Sequence, residues 1–378
     1  MRLTWLVLGV VVAAGAVAFI NTDDDDHPEL PKAAADEPAL NREDDKSKPD
    51  SAFDLLETEA DREAEKRAKV LLDQLAEAQA QGGKGAPSII AKLRDDEAAW
   101  NAESARRHAF VRGQELAVAA VRERDRAAGI AKKDEARRLL SRGLYLPEMF
   151  DKQGHPTKDR KRAIEVIQKF NRAVMTFAPG VEGVTVPYTW ETGLAPVVVV
   201  SRKQLPMGPN ALLYWNRGGN LNPKGMRAGT RVLLPQEELT VHVSLQYKRL
   251  ALFMGDWFVK EWRAGVGAED SPTPVDTFVL HSKQLNPDWT HPQTGKKIPW
   301  SNKKENELGD AWIAIVSDMY PKGAGFGIHG TNKPETVGTR CSRGCVRLRN
   351  EHAVELVRWV RGKDSNGGAA TRIFIRYK

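Results

Sequence analysis

The chain has 378 residues, of which 41% are apolar and 28% charged, so it is long enough for two or three compact domains. Its formal charge is +7, but residues 21–50 carry −7 and residues 51–378 carry +13, and such a basic body suits an anionic partner, either nucleic acid or an envelope polymer. Its two cysteines exclude a disulfide-stapled scaffold and any four-cysteine zinc site.

The first apolar segment, residues 3–20, contains a single weakly polar side chain and as a helix spans about 27 Å, close to the hydrocarbon thickness of a bilayer. Arg2 precedes it and the four aspartates Asp23 to Asp26 follow, an asymmetry that places the bulk of the chain outside the cytoplasm. Ala16-Val17-Ala18 has the small-x-small pattern that signal peptidase reads. We therefore predict a transmembrane anchor or a cleaved signal peptide over residues 1–20, and a periplasmic or other extracytoplasmic location in the cell envelope.

A disordered acidic linker is predicted over residues 21–50, which are rich in Asp, Glu, Pro and Ala and lack aromatic residues. Apolar residues then recur at steps of three or four, which predicts an α-helical region over residues 51–180. The first helix ends at Gly82-Gly83, the second runs from near Pro87 toward Arg126, the third covers Lys132 to Tyr145, and the fourth begins at Thr157. We expect these helices to form helix pairs or a stalk.

Residues 184–236 are predicted to form a small α+β unit. The unit has Val186-Pro187-Tyr188-Thr189 at its front, Asn216 before its last segment, and the closing run Leu221 to Pro235. This pattern resembles a LysM module, the small βααβ unit that binds N-acetylglucosamine polymers such as peptidoglycan. One departure is the run Val197 to Val200, which favours a strand where the family has an amphipathic helix. The alternative interpretation is a structural spacer.

The remaining residues, 238–378, predict a mainly β domain. Apolar residues alternate over Leu239 to Leu245 and again over Leu250 to Met254, and Gly255-Asp256 turns the chain into a third strand. A helix capped by Asn350 interrupts the later strands. The predicted fold class is thus multi-domain: a membrane segment, an α-helical region, a small α+β unit and a mainly β domain.

Two glycine-flanked segments carry the candidate chemistry. The first is Gly327-Ile328-His329-Gly330-Thr331, and the second, Ser342-Arg343-Gly344-Cys345-Val346-Arg347, places Cys345 sixteen residues after His329. A nearby imidazole can take the proton of a thiol, so the pair predicts a thiol acyltransferase. Glycine lets backbone approach a substrate closely, and the amides preceding and including the cysteine can bind an oxyanion. Arg347 lies on the same strand face as Cys345 and can hold a carboxylate through two hydrogen bonds.

These residues resemble the signature of the L,D-transpeptidase catalytic (YkuD) domain: a histidine-glycine, then Ser-His-Gly-Cys, a hydrophobic residue and Arg or Asn. Three upstream segments are similar to other motifs of the family, namely Ser271–Leu280, Asn286–Trp289 and Asn306–Trp312. The resemblance covers residues 238–377. Arg343 departs from it, because the signature has a second histidine there. We expect Arg343 to shift substrate preference or thiolate acidity, since a cation beside Cys345 favours the thiolate.

The resemblance implies that Cys345 attacks the third, L-centred residue of a peptidoglycan tetrapeptide stem, expected to be meso-diaminopimelate, and releases the terminal D-alanine. It makes His329 the base, held through its other ring nitrogen by the carbonyl of Gly330, and gives the amides of Gly344 and Cys345 to the oxyanion. The expected substrate-binding residues are Arg347, Ser342, Arg343 and Thr331. An amine acceptor gives a 3→3 cross-link or an exchanged terminal residue, whereas water makes the enzyme an L,D-carboxypeptidase.

The expected partners are peptidoglycan stem peptides and glycan, together with the membrane through residues 3–20 if they are retained, and not nucleic acid. No cofactor and no metal is expected. Sortases separate histidine and cysteine by far more than sixteen residues, and NlpC-type peptidases place the cysteine first, so neither order fits. The alternative from another class is a non-catalytic peptidoglycan-binding membrane tether. Cys341 is interpreted as a passive small residue, with a reversible disulfide to Cys345 as the alternative.

Overall fold

A computed structural model of the protein describes residues 59–81, 85–216, 226–362 and 369–377. The membrane segment predicted at residues 1–20 and the acidic linker predicted at residues 21–50 lie outside the described residues. Within the described ranges, no helix combines the length and the apolar character needed to cross a bilayer.

The helical region has six α-helices in its described part. They are α1 (Glu59–Ala80), α2 (Ala86–Asp95), α3 (Glu97–Asn101), α4 (Glu103–Arg122), α5 (Arg126–Arg142) and α6 (Lys158–Met175). The single second helix predicted from Pro87 toward Arg126 is wrong, because α2, α3 and α4 replace it. Non-helical backbone at Asp96 and Ala102 makes the two breaks, and the side chain of Asp96 accepts a hydrogen bond from the amide of Ala99 at 3.0 Å.

Side-chain caps also fix the beginnings of the next two helices. Helix α5 begins six residues before the predicted Lys132, because the side chain of Asp125 accepts a hydrogen bond from the amide of Ala128 at 2.7 Å. Thr157 caps α6 as predicted, through a hydrogen bond of 3.4 Å from the amide of Arg160. Short polar side chains thus fix the first residue of α5 and of α6.

Residues 184–236 contain a βααβ unit, with the strands paired antiparallel. Its elements are β1 (Thr185–Thr189), α7 (Pro196–Arg202), α8 (Pro209–Asn216) and β2 (Arg231–Pro235). The strand favoured by Val197 to Val200 is wrong, because this run lies in α7. Pro196 supplies a fixed φ for the first helical turn, and Val199 and Val200 are buried whereas Val197 is exposed.

The mainly β domain is confirmed. Its described strands are β3 (Leu239–Ser244), β4 (Arg249–Met254), β5 (Trp257–Arg263), β6 (Val266–Gly267), β7 (Asp276–Leu285), β8 (Trp289–Thr290), β9 (Lys297–Ile298), β10 (Ala311–Val316), β11 (Gly327–His329), β12 (Arg340–Ser342), β13 (Val346–Arg347) and β14 (Arg372–Arg376), and its helix is α9 (Asn350–Trp359). Eight strands form one sheet in the order β13-β11-β10-β7-β14-β3-β4-β5. The predicted alternation places Leu239, Val241 and Val243 in the core, opposite buried residues of β4.

Helices α5 and α6 pack against β5 at one edge of this sheet, so the helical region is not an isolated stalk. The side-chain amide of Asn171 donates to the carbonyl of Phe258 at 2.8 Å, and the amide of Phe258 donates to the hydroxyl of Ser141 at 2.9 Å. Arg160 forms two hydrogen bonds of 2.6 Å with the carboxylate of Glu261. These contacts cover the unpaired side of an edge strand, which would otherwise be open to pairing with another chain.

The βααβ unit is held against the same domain. The amide of Gly208 donates to the carbonyl of Trp359 at 2.6 Å, and the amide of Leu239 donates to the carbonyl of Pro206 at 3.0 Å. The rings of Trp215 and Trp257 pack edge to face with centroids 5.6 Å apart. The βααβ unit and the sheet therefore share one apolar core with residues of α5 and α6, whereas Ala68, Leu93, Ala99 and Ala105 of α1 to α4 form a separate cluster.

Candidate active site

The strand pairing at the other edge of the sheet places the predicted histidine on one strand and the predicted cysteine at the start of the neighbouring strand. Strands β11 and β13 are parallel, with His329 directly opposite Arg347. Cys345 immediately precedes β13. Because side chains alternate along a strand, Cys345, Arg347 and His329 share one face of the sheet. Cys345 and His329 are therefore diagonal neighbours across the strand pair.

The ring of His329 is only 4% exposed and has a defined orientation. Its Nδ1 lies 2.6 Å from the carbonyl oxygen of Gly330, the contact that the family resemblance implies. Since a carbonyl only accepts, Nδ1 carries the hydrogen and Nε2 keeps the free lone pair. Burial, followed by the positive charge of Arg347, lowers the pKa of His329 to about 4. The imidazole is therefore neutral at pH 7, the state in which it can accept a proton.

Cys345 is a half-buried free thiol that donates a hydrogen bond to the carbonyl of Gly325 at 3.5 Å. Burial raises the pKa of Cys345, although the amide of Gly327 and the charges of Arg347 and Arg343 act in the opposite direction. As expected, the neighbouring cations favour the thiolate, but desolvation outweighs both arginines and the pKa of the thiol is raised overall. At pH 7 the thiol of Cys345 and the imidazole of His329 are therefore both neutral.

The turn before Cys345 requires glycine at position 344. Gly344 has a φ of 100°, which L side chains rarely adopt, and a Cβ there would lie 2.6 Å from Cε1 of Phe326. The buried hydroxyl of Ser342 donates to the carbonyl of Cys345, and the amide of Ala268 donates to the carbonyl of Ser342 at 2.9 Å. This network fixes the backbone on which the amides of Gly344 and Cys345 lie.

Asn350 holds the segment that follows the histidine. Its side-chain oxygen accepts hydrogen bonds from the amides of Asp310 at 3.1 Å and Thr331 at 2.9 Å, and its side-chain nitrogen donates to the carbonyl of Thr331 at 3.0 Å. The predicted capping role is wrong, because Arg349 occupies the N-cap position of α9 and Asn350 is the first helical residue. The helix-start pattern signals Asn350 but cannot predict partners 19 and 40 positions away.

Arg343 and Arg347 share a carboxylate that the sequence analysis did not assign to the site. Oε2 of Glu307 lies 3.1 Å from Nη2 of Arg343 and 3.5 Å from Nη2 of Arg347. The side chain of Arg343 is 52% exposed, whereas that of Arg347 is 10% exposed. Thr331, also expected to bind substrate, is 1% exposed, and its hydroxyl accepts a hydrogen bond from the amide of Lys333 at 3.0 Å.

Comparison with known proteins places this site in a family. The family model described as the L,D-transpeptidase catalytic domain, YkuD, matches residues 238–375. The YkuD protein of Bacillus licheniformis is 30% identical over 152 residues, which cover 39% of this chain and 77% of that protein. The YqjB protein of Bacillus subtilis is 31% identical over 116 residues, which cover 31% of this chain and 62% of that protein. Both bear names that assign them to the L,D-transpeptidases.

Solved structures with a matching region include an L,D-transpeptidase from Mycobacterium smegmatis, with 14% identity and a TM-score of 0.28, covering 39% of this chain and 63% of that one. The catalytic domain of the Enterococcus faecium L,D-transpeptidase matches with 19% identity and a TM-score of 0.26, covering 37% of this chain and 98% of that one. The chain thus spans less than two thirds of the mycobacterial structure. On the curated relatives and the family model, this chain belongs to the L,D-transpeptidase (YkuD) catalytic domain family.

Proposed function

We propose that the protein is a cysteine L,D-transpeptidase acting on peptidoglycan tetrapeptide stems, with Cys345 as nucleophile and His329 as base. The observation that carries the proposal is the register of β11 and β13, which sets His329 opposite Arg347 and diagonal to Cys345. The hydrogen bond between Nδ1 and the carbonyl of Gly330 leaves Nε2 as the proton acceptor.

In the first half-reaction, Nε2 of His329 takes the thiol proton while the sulfur of Cys345 attacks the carbonyl carbon of the third stem residue. The amides of Gly344 and Cys345 stabilise the resulting oxyanion. Collapse of the tetrahedral intermediate breaks the bond to the terminal D-alanine, whose amine leaves with the proton from the imidazolium. The product is a thioester between Cys345 and the stem peptide, with the donor oriented by Arg347.

In the second half-reaction, His329 removes a proton from the acceptor, which attacks the thioester. The C–S bond then breaks, and the imidazolium returns the proton to the sulfur of Cys345. An amine on a neighbouring stem gives a 3→3 cross-link, and a free D-amino acid exchanges the terminal residue. Water as the acceptor makes the enzyme an L,D-carboxypeptidase with the same nucleophile. Ser342 and Thr331 shape the site through their internal hydrogen bonds.

The βααβ unit is proposed to bind the glycan strand as a LysM-like module. Its element order is that of the resemblance, and Asn216 ties α8 to β2 by accepting from the amide of Leu233 and donating to its carbonyl, both at 2.7 Å. Because the unit packs against the β domain, bound glycan would lie at a fixed position relative to Cys345. The substrates place the protein in the cell envelope, periplasmic or otherwise extracytoplasmic.

The alternative is a peptidoglycan-binding tether without catalysis, and a covalent test separates the two. The full chain is incubated with a carbapenem or with purified tetrapeptide, the mass of the protein is measured, and released D-alanine is assayed. The enzyme gains one adduct, on the peptide that contains Cys345, and releases D-alanine. Cys345→Ala abolishes both signals, while the matched control Cys341→Ala keeps them. Release of D-alanine that survives Cys345→Ala removes Cys345 as the nucleophile.

A further inference from the structure

Two arginines on either side of the nucleophile are joined by one carboxylate, and we name Arg343, Glu307 and Arg347 the arginine cluster. Arg343 and Arg347 lie two residues before and two residues after Cys345. Both approach the same oxygen, Oε2 of Glu307, at 3.1 Å and 3.5 Å. The cluster has two positive charges and one negative charge, and so leaves a net positive charge beside the sulfur.

Glu307 itself is held in place by its neighbours. The side chain of Asn306 is 2% exposed and donates to the carbonyl of Pro287 at 2.9 Å, and its oxygen accepts from the amide of Leu308 at 3.0 Å. The residues on both sides of Glu307 are thereby fixed. Its carboxylate consequently holds the flexible side chain of Arg343 at the site.

The cluster is incompletely satisfied. Nε of Arg347 is buried and has no hydrogen-bond partner in the described part of the chain. The contact of 3.5 Å between Arg347 and Glu307 is at the limit for an ion pair with hydrogen-bond character. A buried guanidinium donor without an acceptor is costly, so the site is built to receive a further anionic oxygen.

Arg343 differs from the histidine of the family signature in its charge. A guanidinium is positively charged at every pH the protein meets and offers planar pairs of donors to a carboxylate, whereas the histidine of the family signature is mostly neutral at pH 7. Arg343 is also the exposed member of the cluster, at 52%, and is accessible to a substrate, whereas Arg347 is only 10% exposed.

We propose that Arg343, positioned by Glu307, is a specificity determinant that selects donor stems bearing a free carboxylate in addition to that of the departing D-alanine. This inference rests on the proposed function. The carboxylate that Arg343 binds can belong to the second or to the third residue of the stem. Peptides amidated at one or the other of these residues distinguish the two possibilities.

The test compares the rate constant for acylation of Cys345 by three synthetic tetrapeptides: one with both carboxylates free, one amidated on the second residue and one amidated on the third. The full chain is expected to prefer the free peptide over one of the amidated peptides by about 10- to 100-fold, the range of a hydrogen bond between charged groups. In Arg343→Gln the ratio of the rate constants for free and amidated peptide falls close to one. In Arg343→Lys it lies between that value and the ratio of the unmodified chain. Glu307→Gln lowers the ratio because the side chain of Arg343 loses the carboxylate that positions it. Arg349→Gln removes a positive charge from the same segment and keeps the ratio.

Equal rates for all three peptides with the unmodified chain, or an unchanged ratio in Arg343→Gln, overturn the proposal. Carbapenem adduct formation on Cys345 is measured in parallel. A variant that still forms the adduct is folded and has a competent nucleophile, so a change in its peptide ratio reports selectivity alone. If the unmodified chain forms neither the adduct nor an acyl-enzyme, the proposed function fails instead.

Discussion

His329 lies opposite Arg347 in the parallel pairing of β11 with β13, so the proposed base has a cation as its direct strand partner. Together with burial, which is the larger effect, this charge lowers the pKa of His329 to about 4. Burial has the opposite consequence for Cys345 and raises the pKa of its thiol. Both groups are therefore neutral at pH 7, with the proton on the sulfur of Cys345 and none on Nε2 of His329, in contrast to a thiolate–imidazolium pair.

The first prediction concerns the pH dependence of thiol reactivity. Because the raised pKa of Cys345 lies above the neutral range, the thiolate fraction rises about tenfold per pH unit throughout that range. We expect the rate of alkylation by iodoacetamide, measured by mass spectrometry in a Cys341→Ala background, to increase steadily from pH 6 to pH 9. A preformed ion pair would instead give a rate that is already constant below pH 7, and that result contradicts the assignment.

The second prediction concerns the base. His329→Gln removes the proton acceptor at Nε2, and acylation by a carbapenem at pH 7 should fall by about 10²- to 10⁴-fold, the usual contribution of a positioned base. His281→Gln is the matched control, because His281 is exposed on β7. A rate in His329→Gln equal to that of the control would show that another group takes the proton.

Local sequence patterns predicted the helices and strands of this protein better than they predicted which residues contact one another in the fold. Alternation over Leu239 to Leu245 gave the correct core strand, and Thr157 marked the correct helix start, because both signals are properties of a few adjacent residues. The valine run at 197–200 gave a wrong strand, since Pro196 and the burial of one helical face outweigh intrinsic β propensity.

The candidate site shows the same division. His329, Gly344 and Cys345 were identified from spacing and from the family resemblance, whereas the pairing of Glu307 with Arg343 and Arg347 was not. Glu307 is 36 residues from Arg343, and nothing in the sequence distinguishes it from a glutamate that is exposed to solvent without a partner. The sequence also indicated correctly that a neighbouring cation lowers the pKa of the thiol, but it could not predict the net shift, because desolvation depends on burial that only the fold determines.

The third prediction tests Asn350 as a positioning residue. Asn350→Ala leaves the amides of Asp310 and Thr331 without their acceptor and should lower the free energy of unfolding by about 1–3 kcal/mol. It should also slow acylation of Cys345 at temperatures where the variant is folded, because Thr331 and Gly330 set the orientation of His329. Urea unfolding and carbapenem acylation measure the two effects.

Asn350→Asp serves as the comparison for that variant. It retains an oxygen for both amides but places an acceptor where the side-chain nitrogen donated to the carbonyl of Thr331. We expect it to recover most of the acylation rate that Asn350→Ala loses. If the two variants acylate equally slowly, the acceptor role of Asn350 is not what orients the histidine segment.

The last prediction concerns the contact between the helical region and the sheet. Arg160, whose side chain is 1% exposed, pairs with Glu261 through two hydrogen bonds of 2.6 Å, and Arg249 lies 3.1 Å from the same carboxylate. Although burial opposes ionisation, Arg160 and Arg249 hold the pKa of Glu261 below its usual value. Glu261→Gln leaves two arginines without a counter-charge, and we expect a loss of about 3–5 kcal/mol in urea unfolding.

Two comparisons decide whether that loss comes from the uncompensated charge. Replacing the pair together, as Arg160→Met with Glu261→Gln, removes one buried cation along with the anion and should be less damaging than Glu261→Gln alone. Glu305→Gln breaks the exposed ion pair with Lys296 and should leave the unfolding midpoint unchanged. If Glu261→Gln is no worse than Glu305→Gln, the pair does not hold α6 against β5, and the apolar contacts of the two elements alone account for the docking.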